Sequence, residues 1–271
     1  MKEEVINMVG AIIGDIVGSR FEFNNIKTKD FEMFVGRWKG CNFTDDTIMT
    51  IAVAKALAQY KKIKDYEQFK KTLVRVMHRF GVRYPFSGYG QLFSNWLFTG
   101  STKPYNSYGN GSAMRVSPVA WYANSIEEAE ALAKATAEVT HNHPEGIKGA
   151  QAIAGATFLA RIGKTKDEIR EYISKYYHID FTLDEIRPTY RFDATCQGSV
   201  PQALQAFFES TDFEDAIRNA ISIGGDSDTI AAMTGAVAEA YYGVPEEIKT
   251  KALSYLDNYL FEEMSKIKYT R

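Results

Sequence analysis

Two short stretches put several carboxylates and hydroxyls where helices should begin. Toward the C-terminal end stands Ser222-Ile223-Gly224-Gly225-Asp226-Ser227-Asp228-Thr229, followed by the apolar, alanine-rich residues 230–237. Toward the other end stands Phe43-Thr44-Asp45-Asp46-Thr47, followed by the equally apolar residues 48–54. Ser, Thr and Asp at a helix start accept the unpaired amide protons of the first turn, and the helix dipole favours negative charge there. One oxygen suffices for a cap, and each stretch offers several. Taken singly these residues read as caps. If the fold brings the two helix starts together, four carboxylates and two or more hydroxyls converge, and such a cluster stays ionised only with cations. Hard oxygen donors of this kind suit Mg²⁺, Mn²⁺ or Ca²⁺, and the expected site is binuclear.

The rest of the composition narrows the setting. The chain has 271 residues, 32 Lys+Arg against 34 Asp+Glu and a net charge of −2, so bulk nucleic-acid binding is not expected. That length buries a sizeable core in one large unit or two small ones. Cys41 and Cys196 are too few for a disulfide scaffold or a cysteine zinc site. Met1-Lys2-Glu3-Glu4 has acids where a signal peptide carries a basic segment, and the apolar run over 9–17 is interrupted by Gly14 and Asp15. Nothing approaches the roughly 20 apolar residues of a membrane span. A soluble, cytoplasmic protein without a membrane partner is expected.

The elements that must position the acids read as helices. The pattern predicts a buried first helix over 8–20, with Gly10, Gly14 and Gly18 on one face for close packing. Asp15 within it needs a partner or a cation, since an unpaired buried charge is costly. Glu22 lies between Phe21 and Phe23, where a surface carboxylate is the plain reading. Residues 24–42 look irregular, and helices are predicted over 44–60 and 66–80, the latter with Phe69, Leu73, Val76 and Met77 as its apolar stripe. Between Gln68 and Ile126 there is no acidic residue. Ser87-Gly88-Tyr89-Gly90 and Tyr108-Gly109-Asn110-Gly111-Ser112-Ala113-Met114-Arg115 lie in that segment. Such loops can cradle phosphates beside a flat base; Gly109-Asn110-Gly111 also reads as a tight turn. The Gly-Lys-Ser/Thr ending of a P-loop is missing.

Further helices are predicted over 127–139, 147–161 and 164–177. Between the first two lie His141 and His143, read as ligand-reaching or capping, with no third zinc-type ligand nearby. Residues 178–197 look irregular, with room for a short extended piece. Helices over 199–209, 213–221 and 226–242 follow, then a Gly243-Val244-Pro245 break and one charged C-terminal helix. Strand-type alternation is nearly absent. The expected architecture is all-α, a single domain over 1–271.

Assembled, these motifs resemble the ADP-ribosylglycohydrolase family. Its carriers here are Gly14-Asp15 through Glu22, Thr44-Asp45-Asp46-Thr47, Gly109-Asn110-Gly111 with Ala113-Met114-Arg115, Thr140-His141, and Gly224-Gly225-Asp226-Ser227-Asp228-Thr229. The resemblance implies an orthogonal helical bundle with two Mg²⁺ or Mn²⁺ ions between helix N-termini. The implied ligands are Thr44, Asp45, Asp46, Asp226, Asp228 and Thr229, with Glu22 beside the ions and Asp15 orienting ligands from behind. Gly109, Asn110, Gly111, Ser112 and Met114 would line the diphosphate path, with His141, Gly88 and Gly90 nearby and Tyr108 stacking on the base. The implied activity is hydrolysis of the bond between ADP-ribose and a protein side chain, arginine or serine linkage open, with Glu22, Asp45 and Asp46 as catalytic acids. No organic cofactor is implied. A small ADP-ribose derivative such as an O-acyl ester, or a non-catalytic ADP-ribose binder, are the alternatives.

Overall fold

A computed structural model describes residues 7–60 and 65–267; the acidic start Met1–Glu4 lies outside them. The helices run in order as α1 Val9–Gly18, α2 Asp45–Tyr60, α3 Tyr66–Arg83, α4 Gln91–Phe98, α5 Gly111–Met114, α6 Ser117–Tyr122, α7 Ile126–Glu138 and α8 Pro144–Arg161. They continue as α9 Lys166–Ser174, α10 Leu183–Ile186, α11 Cys196–Phe208, α12 Phe213–Ser222, α13 Ser227–Tyr242, α14 Glu246–Leu253 and α15 Asn258–Ser265. Among the described residues the one β-type pairing is a bridge between Gly109 and Thr195. The all-α expectation therefore holds. No described helix is long and apolar enough to cross a membrane.

The core is built around α13, buried from Ser227 through Glu239. A helix covered on all sides needs no polar face, which is why its sequence reads as nearly uniform small apolar residues. Its closest partner is α1, also buried throughout. A β-carbon on Gly14 would stand 2.1 Å from the Ala231 carbonyl oxygen, and one on Gly10 the same distance from that of Gly235. The glycine face predicted for α1 is thus a backbone-to-backbone contact with α13, and it brings Asp15 and the end of α1 alongside Asp228.

The starts of α1 and α2 are capped from a distance. α1 has no side-chain cap of its own; the Glu239 carboxylate of α13 accepts from the Gly10 amide at 2.8 Å. Asp15 of α1 in turn accepts from the Thr44 and Thr47 amides at 2.9 and 3.0 Å and from both their hydroxyls, closing the start of α2. Burial pushes the Glu239 carboxyl up to about 7, against the pull of the Gly10, Val9 and Met8 amides. A raised carboxyl pKa costs nothing below about 4.5, where folded and unfolded states are both protonated, and its full cost is felt above about 7. Glu239→Gln is therefore expected to match the wild type near pH 4.5 and to exceed it near pH 8 by on the order of 3 kcal/mol, less any weakening of the cap. Urea unfolding at the two pH values checks this. A variant that loses ground as the pH rises would contradict it.

Several extents differ from the sequence reading. The predicted first helix over 8–20 ends at Gly18 and passes into a 3₁₀ turn, Ser19–Phe21, which turns Glu22 toward the acids. The acid-free segment holds α4, α5 and α6, too short to show a periodic stripe. α11 begins at Cys196, capped by Thr195, and carries Pro201 within it. The single C-terminal helix is two, α14 and α15. Residues 178–197 contain the short helix α10 in place of an extended piece, apart from Thr195 at the bridge.

Candidate active site

The α1–α13 contact and the Asp15 cap bring the starts of α2 and α13 together. The Thr229 hydroxyl donates to Asp46 Oδ2 at 3.2 Å, joining the two motifs across 183 positions of chain. Oxygens of Asp15, Asp46 and Asp228 lie within 4.8 Å of one another, and so do oxygens of Glu22, Asp226 and Asp228. Asp228 is common to both groups. Asp226 occupies the N-cap position of α13 without capping it; its Oδ2 instead accepts from Asn110 Nδ2 at 2.7 Å. Glu22, expected to read as a surface acid without the family resemblance, is brought in by the turn after α1. Asn25 holds that turn, donating to the Phe21 and Gly225 carbonyls and accepting from the Gly225 amide.

These acids crowd one another in a dry place. Burial, then the neighbouring carboxylates, holds Asp45, Asp46 and Asp228 well above the usual carboxylate range. Burial raises Asp226 against the Asn110 bond, and burial with Asp226 and Asp15 pushes Glu22 up to about 7. No ion pair among the described residues engages any of them. Asp46 Oδ1 is buried with no hydrogen-bond partner. A buried acceptor left unpaired costs about 1–3 kcal/mol or more when charged. Two close groups of oxygens sharing one aspartate, with an orphaned carboxylate oxygen between the helix starts, fit a pair of hard divalent cations.

The cluster floors a cavity of about 310 Å³. Of the residues expected to meet substrate, Gly88, Gly90, Gly109, Asn110, Gly111, Met114 and His141 line it, with Glu22, Asp45, Asp46, Asp226, Asp228 and Thr229 at its floor. Thr44 sits behind them, its hydroxyl turned to Asp15 Oδ1 at 2.7 Å. Ser112 is fully buried and donates to the Gly146 carbonyl at 2.7 Å, which ties α5 to α8. Tyr108 stands half-exposed outside the lining, edge-on to His143 with ring centroids 5.3 Å apart. The two histidines divide their tasks. His143 Nδ1 caps α8 through the Glu145 amide, while His141 faces the cavity.

The wall also contains residues that the sequence reading did not single out: Met49, Gln91, Leu92, Phe93, Tyr105 and Phe192. Arg115 is the most informative addition. It is fully buried with no carboxylate partner among the described residues, and its Nη2 donates to the Thr136 carbonyl at 3.0 Å and to Thr140 Oγ1 at 2.7 Å. Thr140 Oγ1 lies 2.8 Å from His141 Nδ1. Burial and the Arg115 charge hold His141 well below the ordinary histidine range, so the ring is neutral. With the Thr140 proton assigned to Nδ1, His141 carries its own hydrogen on Nε2. That nitrogen faces Gly109 and Gly111, and a β-carbon on Gly111 would stand 3.0 Å from it. The result is a neutral N–H donor aimed between two glycines. Arg115→Met and Thr140→Val are each expected to weaken ADP-ribose binding about tenfold, the loss of one well-placed hydrogen bond. Calorimetry on variants with wild-type helix content checks this, and unchanged affinity in both would refute the relay.

The family model for ADP-ribosylglycohydrolase matches residues 7–268. The chain is 29% identical to the ADP-ribosylhydrolase ARH3 of Homo sapiens, over 92% of this chain and 88% of that protein. It is 28% identical to the ADP-ribosylarginine hydrolase Tri1 of Pseudomonas putida, over 95% and 76%. Its fold matches a solved chain titled ADP-ribosylglycohydrolase-related protein complex with a TM-score of 0.67, covering 97% of this chain and all of that one at 23% identity.

Proposed function

Because the chain belongs to the ADP-ribosylglycohydrolase family, we propose that it is a divalent-cation-dependent hydrolase that cleaves ADP-ribose from a modified protein side chain. The observation that carries this reading is the pair of carboxylate groups sharing Asp228 beneath a cavity lined by the Gly109–Gly111 loop. Thr44, Asp45, Asp46, Asp226, Asp228 and Thr229 would hold two Mg²⁺ or Mn²⁺ ions, with Glu22 beside them. When bound, the ions fix the ribose hydroxyls and lower the pKa of nearby water.

The chain's own residues do the rest. Breaking the bond at ribose C1″ develops positive charge on the sugar, and a wall of carboxylates stabilises that charge. Asp45 lines the cavity, where one carboxylate oxygen would hold a cation and the other can take a proton from water. Glu22, grouped with Asp226 and Asp228 and only half-buried, is suited to assist the leaving group. Asn110 orients Asp226, and His141 donates toward the diphosphate.

Every carboxylate on the cavity wall belongs to the central cluster. An arginine-linked substrate therefore finds no separate acid for its guanidinium, which favours a neutral linkage such as serine. The deciding experiment is a release assay with and without Mg²⁺ on arginine-linked and serine-linked ADP-ribosyl peptides and an O-acyl-ADP-ribose. Mg²⁺-dependent release, faster from serine than from arginine, is expected. ADP-ribose binding without release from any of the three would replace this reading with that of an ADP-ribose binder.

A further inference from the structure

The end of the cavity where the C1″ bond would break has an apolar rim that the chemistry does not require. Phe23 directly follows Glu22 and is 86% exposed. Its ring stacks on that of Phe192, centroids 6.1 Å apart and planes within 21°. Phe192 is itself 49% exposed and lines the cavity. The Asp45 amide donates to the Ser87 carbonyl at 2.7 Å, which anchors that loop beside the acids. Phe86, next in the chain, is 98% exposed, and Leu92 is half-exposed on the cavity wall.

Aromatic rings held in water contribute nothing to folding, and clustered at a site they mark a contact surface. Exposed rings beside the lining of one cavity are not scattered surface residues: Phe23 stacks on Phe192, and Phe86 adjoins the loop held at Asp45. The 68–126 segment that carries Phe86 has no acid, whereas Glu22 precedes Phe23 and Asp193 follows Phe192.

We propose that Phe23 with Phe192, and Phe86 with Leu92, form a docking rim for the polypeptide that carries the ADP-ribosyl group. The rim contacts apolar residues flanking the modified position. This rests on the function proposed above and deepens it: the substrate is ADP-ribose on a peptide chain, not a small ADP-ribose derivative. A group attached at C1″ above Glu22 would leave beside these rings, and a peptide offers the side chains to contact them.

The test separates docking from turnover. Phe23 and Phe86 lie outside the cavity lining, so Phe23→Ser/Phe86→Ser should leave the cavity intact. For the double variant, KM for a serine-ADP-ribosylated peptide with apolar flanks is expected to rise about tenfold, while kcat/KM for free ADP-ribosyl-serine stays within about twofold. Binding is measured in parallel with a peptide carrying ADP-ribose through a non-cleavable triazole. The wild type should bind it about tenfold tighter than ADP-ribose, and the double variant should lose that advantage. Wild-type binding with no peptide advantage, or an advantage that survives the double substitution in a folded protein, overturns the rim. Absence of turnover with the advantage intact counts against the hydrolase reading and leaves the rim standing.

Discussion

Asp228→Asn is expected to lower kcat by on the order of a thousandfold or more and, in the cation-free protein, to raise the melting temperature. Both effects come from the same position. Asp228 is the one residue present in both close carboxylate groups, so an amide there weakens both proposed cation positions at once. Without cations that carboxylate is a cost, because burial and Asp226, Asp46, Glu22 and Asp15 all act against its ionisation. Asparagine keeps an oxygen for the Thr229 amide that Asp228 Oδ1 now accepts at 2.9 Å, so the turn itself should survive. Removing one repelling charge is worth about 1–2 kcal/mol, or roughly 3–6 °C for a chain of this size.

The sign with pH follows from the raised carboxyl. Near pH 4 Asp228 is largely protonated in the folded state, so the variant gains little. The gain should grow as the pH rises and the wild-type aspartate is forced to ionise. Calorimetry in EDTA across that range, beside single-turnover kinetics in Mg²⁺, reads both halves. Near-wild-type turnover would sink the proposed cation site, and a variant melting lower than wild type at neutral pH would contradict the electrostatic account.

Cation removal should have the second large effect. EDTA is expected to abolish release of ADP-ribose, with Mg²⁺ or Mn²⁺ restoring it. The same titration should stabilise the fold, because the acids bind cations only when α2 and α13 are assembled. A ligand at a thousand times its Kd adds about 4 kcal/mol, which corresponds to roughly 10 °C here. Asp228→Asn should lose most of this shift. Stabilisation without restored activity would leave a structural cation site only, and full activity after rigorous chelation would overturn the mechanism.

Much of this site was legible in the chain because its acids sit in local contexts that repeat. Asp45 and Asp46, like Asp226 and Asp228, are each written beside an apolar helix that they do not need to cap. The glycine spacing of α1 announced a close contact, and the absence of alternating segments announced an all-helical fold. The surrounding motifs also named the family, which residues 7–268 bear out.

Other features depend on residues far apart in the sequence, where no local pattern exists to read. Nothing in the spacing of Glu239 reveals that it caps a helix 229 positions away, or in that of Asp15 that it closes α2. Arg115, Thr140 and His141 become a relay only after α5 and the end of α7 are packed together. Short helices such as α4 and α6 owe their form to burial of Trp96, Leu97 and Val119 against neighbours, too few turns for periodicity to register. Sequence alone determined which acids and hydroxyls stand at helix starts and that the fold is helical, since residue type and helical period are local properties. Tertiary structure decided that two close carboxylate groups share Asp228, that Ser112 is a strut, and that Phe23 stacks on Phe192 beside the cavity, because convergence in space is set by packing between distant segments.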